Sequence, residues 1–213
     1  MTDIVKLSLV ILSLVFCFSA VAEDFRVGPW RLGMSREKVQ SFREYGPYGP
    51  VAVTGGLETH NAVLDGKQKN VSFVFDDEGL RYIQVWEYEG SDYEAAQNAV
   101  LEVFDSFVAS YGGAEIPGVE VSGPAGLDRQ AMEVLVGRVL GTAKELGQKT
   151  AEEQKAAMVL FFDMKPKMQP EHSRLHSQWG YHARFDTFYV FVYQDRGDAP
   201  ERRVPSNIRL EAL

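Results

Sequence analysis

The sequence predicts an α+β fold: an antiparallel sheet with helices packed on one face. Three observations predict it. Val71, Phe73 and Phe75 alternate along one strand, Asp76-Asp77-Glu78-Gly79 supplies a polar turn, and a second apolar strand follows over residues 80–88, which together describe a β-hairpin. Tyr93, Ala96, Val100, Val103, Phe104 and Phe107, and later Met132, Leu135, Val136, Val139 and Leu140, recur at helical spacing. Each set makes an apolar stripe that needs a sheet face to bury it. The strands are joined by tight turns, which favours antiparallel pairing over crossovers.

Taken in order, residues 1–22 read as a secretory signal. Lys6 precedes an apolar run over residues 7–18, and Ala20-Val21-Ala22 gives the small-x-small pattern that a signal peptidase cuts. The run is too short to span a bilayer, so cleavage after Ala22 and a periplasmic or secreted mature chain are expected, with no integral membrane segment. Residues 23–213 then form one α+β domain, or two halves over 23–112 and 127–213. Cys17 is the only cysteine and lies inside the signal, so disulfides, thiol catalysis and cysteine-ligated zinc are excluded from the mature chain. The chain is long enough to rely on an apolar core instead.

Residues 23–33 read as a short strand entering a loop. Ser35 caps a helix over residues 36–45, with Glu37 placed to favour its N-terminal dipole, and Gly46-Pro47-Tyr48-Gly49-Pro50 stops it. One or two short strands are expected around Gly55-Gly56, leading through residues 65–69 into the hairpin. Ser91 or Asp92 caps the helix that follows. Residues 112–126, with Pro117 and Pro124, read as a linker. Asp128 starts a second long helix, expected to end near Leu146 with Gly147 as its stop, and residues 152–155 as a charged connection or an added turn.

The continuous apolar run over residues 157–162 suggests a strand covered on both faces or central in the sheet. Tyr181, Ala183, Phe185, Tyr189, Phe191 and Tyr193 are assigned to one face of a further strand or strand pair. Residues 165–179 between them read as a long, locally positive loop, the expected mobile element and docking place. The tail from Arg196 is charged, with a last strand expected at residues 207–210. No repeat is visible by identity, although helix then strands occurs in both halves.

Chemistry-bearing patterns are sparse. Ser35-Arg36-Glu37-Lys38 has the S-x-x-K spacing in which lysine can activate serine. However, Ser91-Asp92-Tyr93 and Lys149-Thr150-Ala151 lack the rest of that signature, and capping already accounts for Ser35. His172 and His176 stand four apart with His182 beyond, a spacing that could place two imidazoles on a metal only if the segment were helical. Pro166, Pro170 and the absence of H-E-x-x-H argue for polar loop histidines instead. His60 stands alone. Asp76 to Gly79 lacks the alternating ligands of a calcium loop, and Arg196-Gly197-Asp198 is an adhesion tripeptide by letters only. No nucleophile elbow, phosphate loop or dinucleotide fingerprint is present, so no catalytic set, cofactor or metal is predicted.

What remains is aromatic. Trp86, Tyr88, Trp179 and Tyr181 sit on strands beside the long loop, with Phe188, Tyr189 and Tyr193 nearby. Most such rings belong in a core, and those left exposed would anchor a partner, so these first four are the candidate partner-binding residues. The net charge of −8, unchanged by loss of Asp3 and Lys6 with the signal, disfavours nucleic acid and suits another protein, a basic one best. Solubility alone accounts for the same charge.

The phrase Val27-Gly28-Pro29-Trp30-Arg31-Leu32-Gly33-Met34-Ser35, running on to Val39 and later to the hairpin ending in DDEGLRYIQV, resembles the opening of a group of small exported bacterial domains. That group contains the outer-membrane-assembly small lipoprotein A and the repeats of the beta-lactamase inhibitor protein. The resemblance covers residues 25–89 and implies a helical pair on an antiparallel sheet in a binding or scaffold protein. The group's lipoprotein cysteine is absent here, and the long helix after the hairpin is not part of the pattern. Leu32, Gly33, Met34 and Ser35 match as structural residues, so the resemblance carries over no functional residue. The sequence therefore favours an exported, periplasmic, non-enzymatic binding protein, whether an inhibitor, an envelope assembly factor or an immunity-type protein. The alternative is a small cell-envelope hydrolase whose site follows no recognised pattern.

Overall fold

The computed structural model describes residues 27–51, 54–119, 127–154 and 159–197. The signal and its cleavage site, much of the linker and the strand expected at 207–210 lie outside the described residues. The elements run α1 (Arg36–Gln40), a 3-10 turn (Arg43–Tyr45), β1 (Gly49–Val51), β2 (Gly56–Leu64), β3 (Lys67–Asp76), β4 (Gly79–Gly90), α2 (Tyr93–Tyr111), β5 (Ala114–Glu115), α3 (Arg129–Gln154), β6 (Val159–Pro166), β7 (Arg174–His182), a second 3-10 turn (Ala183–Phe185) and β8 (Thr187–Asp195). All eight strands join one antiparallel sheet in the order β1-β2-β3-β4-β8-β7-β6-β5, an α+β fold as expected.

Local chemistry sets most boundaries. The Ser35 hydroxyl accepts from the Lys38 backbone N–H, capping a helix that runs only to Gln40 before tightening into the 3-10 turn. Asp92 accepts from Ala95 N–H at the start of α2, and Gly112 at φ 70° closes it by donating to the Val108 carbonyl. In the β3–β4 turn the Asp76 carboxylate accepts from Glu78 N–H. Gly79, at φ 101°, is required there, because a Cβ would meet the Gly33 carbonyl oxygen at 2.5 Å. The N-terminal loop docks at this turn through Gly33 N–H to the Leu80 carbonyl and Leu80 N–H to the Met34 carbonyl, both 2.7 Å.

Three expectations are corrected. α3 does not stop at Gly147 but continues to Gln154, since a single helical glycine costs only about 1 kcal/mol against alanine. The apolar run near residue 160 forms β6, which lies next to the short edge strand β5, so of the two placements expected for it, covered on both faces or central, the central one fails; β4 and β8 are central. The long loop shrinks to residues 167–173, because β7 takes up the stretch from Arg174 onward and pairs with both β6 and β8.

Cross-strand register sorts the side chains into two faces. Val85 opposes Val192, Tyr88 opposes Val190 and Tyr181 opposes Phe188, all on the face that carries the helices. Two apolar clusters fill that side. One holds Val27, Trp30, Val39, Phe73, Leu80 and Ile83 under the N-terminal segment and α1, and the other packs α2 and α3 on Met164, Leu175, Trp179, Phe188 and Val192. α2 follows the first hairpin yet packs in the second cluster with α3, so the helices and strands do not divide cleanly at residue 112. No helix of the described residues is long and apolar enough to cross a membrane.

Candidate functional site

The other face of the sheet carries an aromatic row. Successive outward positions of β8 are Tyr189, Phe191 and Tyr193, two residues apart and therefore on one side of the pleat. Tyr189 and Phe191 stack with centroids 5.6 Å apart and planes at 18°, and Tyr193 continues the row at 5.8 Å. From β4, Trp86 sets its ring nearly perpendicular to Phe191 (4.8 Å, 87°) and to Tyr189 (6.0 Å, 75°), and Tyr82 lies 5.3 Å from Tyr193. From β7, His176 stacks on Tyr193 at 4.8 Å and His182 approaches Tyr189 at 6.5 Å. Phe191 and Tyr193 are buried, although they belong to neither helix-side cluster.

The two ends of the row differ. At one end charges dominate: Arg174 Nε meets Asp195 Oδ1 at 2.9 Å, and Arg196 pairs with Asp76 and Glu78. At the other, the β7–β8 turn holds Phe185 out to solvent, 61% exposed, with its ring 4.5 Å from His182 and the Arg184 guanidinium 5.7 Å away. Trp86, Tyr189 and His182 behind it are half-buried. An apolar ring standing out beside partly covered aromatics is the surface composition that protein contacts use as an anchor.

Of the four candidate residues, the structure places only Trp86 on this face. Tyr88 is turned to the helix side by a β-bulge at Glu87, where it packs on the second cluster and its hydroxyl accepts from the Asp92 backbone N–H at the start of α2. Trp179 and Tyr181, at 0% and 1% exposure, are core residues and offer nothing to a partner, a correction with a simple cause: β7 turns this parity toward α3. Burial, reinforced by the Asp186 carboxylate that accepts the Tyr181 hydroxyl at 2.7 Å, pushes that phenol's pKa far up. Burial and then the Glu89 charge likewise push Tyr189 up. Of the aromatic set assigned to one face, Tyr189, Phe191 and Tyr193 do share it, whereas Tyr181 faces the helices and Phe185 sits in the turn. Reasoning from the sequence did not single out the exposed Phe185 or the His182 ring beside it; the signal available was the break between Tyr181 and Phe188, where Asp186 takes the left-handed conformation at φ 46°.

The serine and histidine patterns dissolve on inspection. Ser35 is a cap, and Lys38 Nζ lies 5.1 Å over the Phe42 ring. His172 occupies a turn at φ 61°, exposed beside Glu171, while His176 lies in β7, so the segment is not helical and the pair does not converge. Among the described residues no group of three or more histidine, cysteine, aspartate or glutamate side chains could hold a metal ion. No protein-family model, no curated protein and no solved structure matches the chain.

Proposed function

We propose that the chain is an exported, non-enzymatic binding protein of the bacterial cell envelope whose protein partner docks at the Phe185 end of the aromatic row. The observation that carries this reading is Phe185 itself, 61% exposed and continuous through His182 and Tyr189 with Trp86. What sets Phe185 apart from the other exposed apolar side chains is this continuity with partly covered aromatics, the composition that contact surfaces use as an anchor. The signal-like N-terminus and the resemblance to exported binding and scaffold domains support the same reading. Mass spectrometry of the native protein is expected to find Glu23 at the N-terminus; an uncut Met1 or a lipid-modified residue would remove the export half of the proposal.

For the docking half, the wild-type chain is used as bait in envelope extract beside Phe185→Ala and, as a control, Val63→Ala. Val63 is 58% exposed on β2, far from the row in strand order. Capture of a specific protein should fall about tenfold or more for Phe185→Ala, the scale of a central aromatic anchor, and hold for Val63→Ala. Equal capture by both variants would put the partner elsewhere.

A further inference from the structure

We propose that Trp86, Tyr189 and Glu89 form a seat for a cationic side chain, an arginine or lysine carried by the partner protein. The inference rests on the docking reading above and names the chemistry it would use. In a regular strand, residues 86 and 89 point to opposite faces. Here the register runs Trp86 opposite Phe191 and Glu89 opposite Tyr189, because the bulge inserts Glu87 between them. The bulge thus brings Trp86 and Glu89 to the same face, on either side of the step from Tyr189 to Phe191.

The geometry suits a cation. Trp86 and Tyr189 stand at 75° with centroids 6.0 Å apart, so two π systems meet as a corner, and tryptophan and tyrosine are the strongest neutral partners a cation finds in a protein. Glu89 is exposed, lies across from Tyr189, and among the described residues makes no ion pair. Its charge reaches the Tyr189 phenol. Glu87, by contrast, is already matched by Lys69 on the helix side. The one formally positive side chain at the β7–β8 turn, Arg184, lies over Phe185, on the other flank of β8 from the β4 residues Trp86 and Glu89. The chain as a whole carries a net charge of −8, which draws a basic surface toward it before any contact forms.

Tryptophan emission reads the site directly, because the other two tryptophans, Trp30 and Trp179, are fully buried and Trp86 is not. The mature chain is titrated with an arginine-glycine repeat hexapeptide, with glutamate-glycine and serine-glycine hexapeptides as comparisons. Only the arginine peptide should shift the emission saturably, and Trp86→Phe should abolish the shift. Glu89→Gln and Tyr189→Leu should each weaken the apparent affinity roughly three- to thirtyfold, the range for losing one cation contact of this kind, while Glu145→Gln on α3 leaves it unchanged. Equal loss in Glu145→Gln would mean general attraction to an acidic protein, and no loss in Glu89→Gln would remove the seat; either result overturns the proposal. Failure here with capture still sensitive to Phe185→Ala rejects the seat and leaves the docking face. Peptide binding as described, with capture insensitive to Phe185→Ala, rejects the docking reading and keeps the seat.

Discussion

Trp179→Ala is expected to lower the stability of the fold by about 3–5 kcal/mol, the usual cost of emptying a buried tryptophan site. Trp179 is fully buried on β7, stacks on Phe162 at 5.2 Å with planes at 26°, and opposes Val190 on the central strand β8. The void would open between α3 and the sheet, where neighbouring strands hold their spacing by hydrogen bonds and cannot collapse into it. For a chain of this length the melting temperature should fall by roughly 6–20 °C. Trp179→Phe should cost much less. It keeps the stacked ring and removes an indole N–H that is buried with no acceptor among the described residues, a group whose burial is itself unfavourable. Calorimetry or denaturant unfolding decides the matter; an unchanged midpoint for the alanine variant would show that the residue does not sit in the core. The result also governs how binding data are read, because loss of partner capture in a Trp179 variant reports on folding. Under the docking proposal, Trp86 and Phe185 are the aromatic positions whose replacement should report on contact.

The parts of the fold that local chemistry dictates are legible in the sequence. Asp92 and Ser35 cap helices because their short oxygens reach the free N–H groups of the first turn, and the Asp76–Gly79 turn follows from an Asx bond and one glycine at positive φ. The stripe from Ala96 to Phe107 demands a sheet beneath it, and α2 is buried along that line. What a chain segment cannot state about itself is which neighbour it pairs with. The part of β7 before Gly180 reads as polar loop because Ser177 interrupts the inward pair Leu175 and Trp179, and only pairing with β6 and β8 makes a strand of it.

The candidate site was half legible for the same reason. Alternation alone puts Tyr189, Phe191 and Tyr193 together. The separation of Trp86 from Tyr88 onto opposite faces depends on one inserted residue, Glu87, whose effect is visible only once β4 is aligned against β8. A shift of one position exchanges the two faces of a strand, so an aromatic-rich strand yields its rings readily and its exposed rings poorly. Trp179 and Tyr181 illustrate the cost: they are aromatic, next to a loop, and buried.

The bulge that orients Trp86 is held from the other side by an ion pair. Lys69 on β3 pairs with Glu87, with side chains only 11% and 8% exposed, and Lys67 bridges to Glu102 on α2 beside them. Removing one member of such a pair leaves an uncompensated charge in a dry place, so Lys69→Met should cost about 3–5 kcal/mol at pH 7. The pH dependence follows from the sign of the shift. Burial pushes the Glu87 carboxyl above its ordinary value, Lys69 opposes that, and the Asp65 and Glu102 charges add to it. A carboxyl raised in the folded state binds a proton more readily there than in the unfolded chain. Its ionised form therefore costs stability above the folded-state pKa, and the cost is relieved as pH falls through that value toward the ordinary glutamate range. Without Lys69 the carboxyl rises further, so the deficit of Lys69→Met should shrink as the medium is taken from pH 7 to pH 5. Adding Glu87→Leu should restore most of the loss at pH 7, since a matched apolar pair replaces a buried ionic one at little cost. Denaturant midpoints of the three proteins at the two pH values test this together with Trp86 emission, which should change in the single variant if the pair holds the bulge. A deficit independent of pH, or a double variant less stable than the single one, would show that Lys69 and Glu87 are solvated neighbours rather than a buried pair.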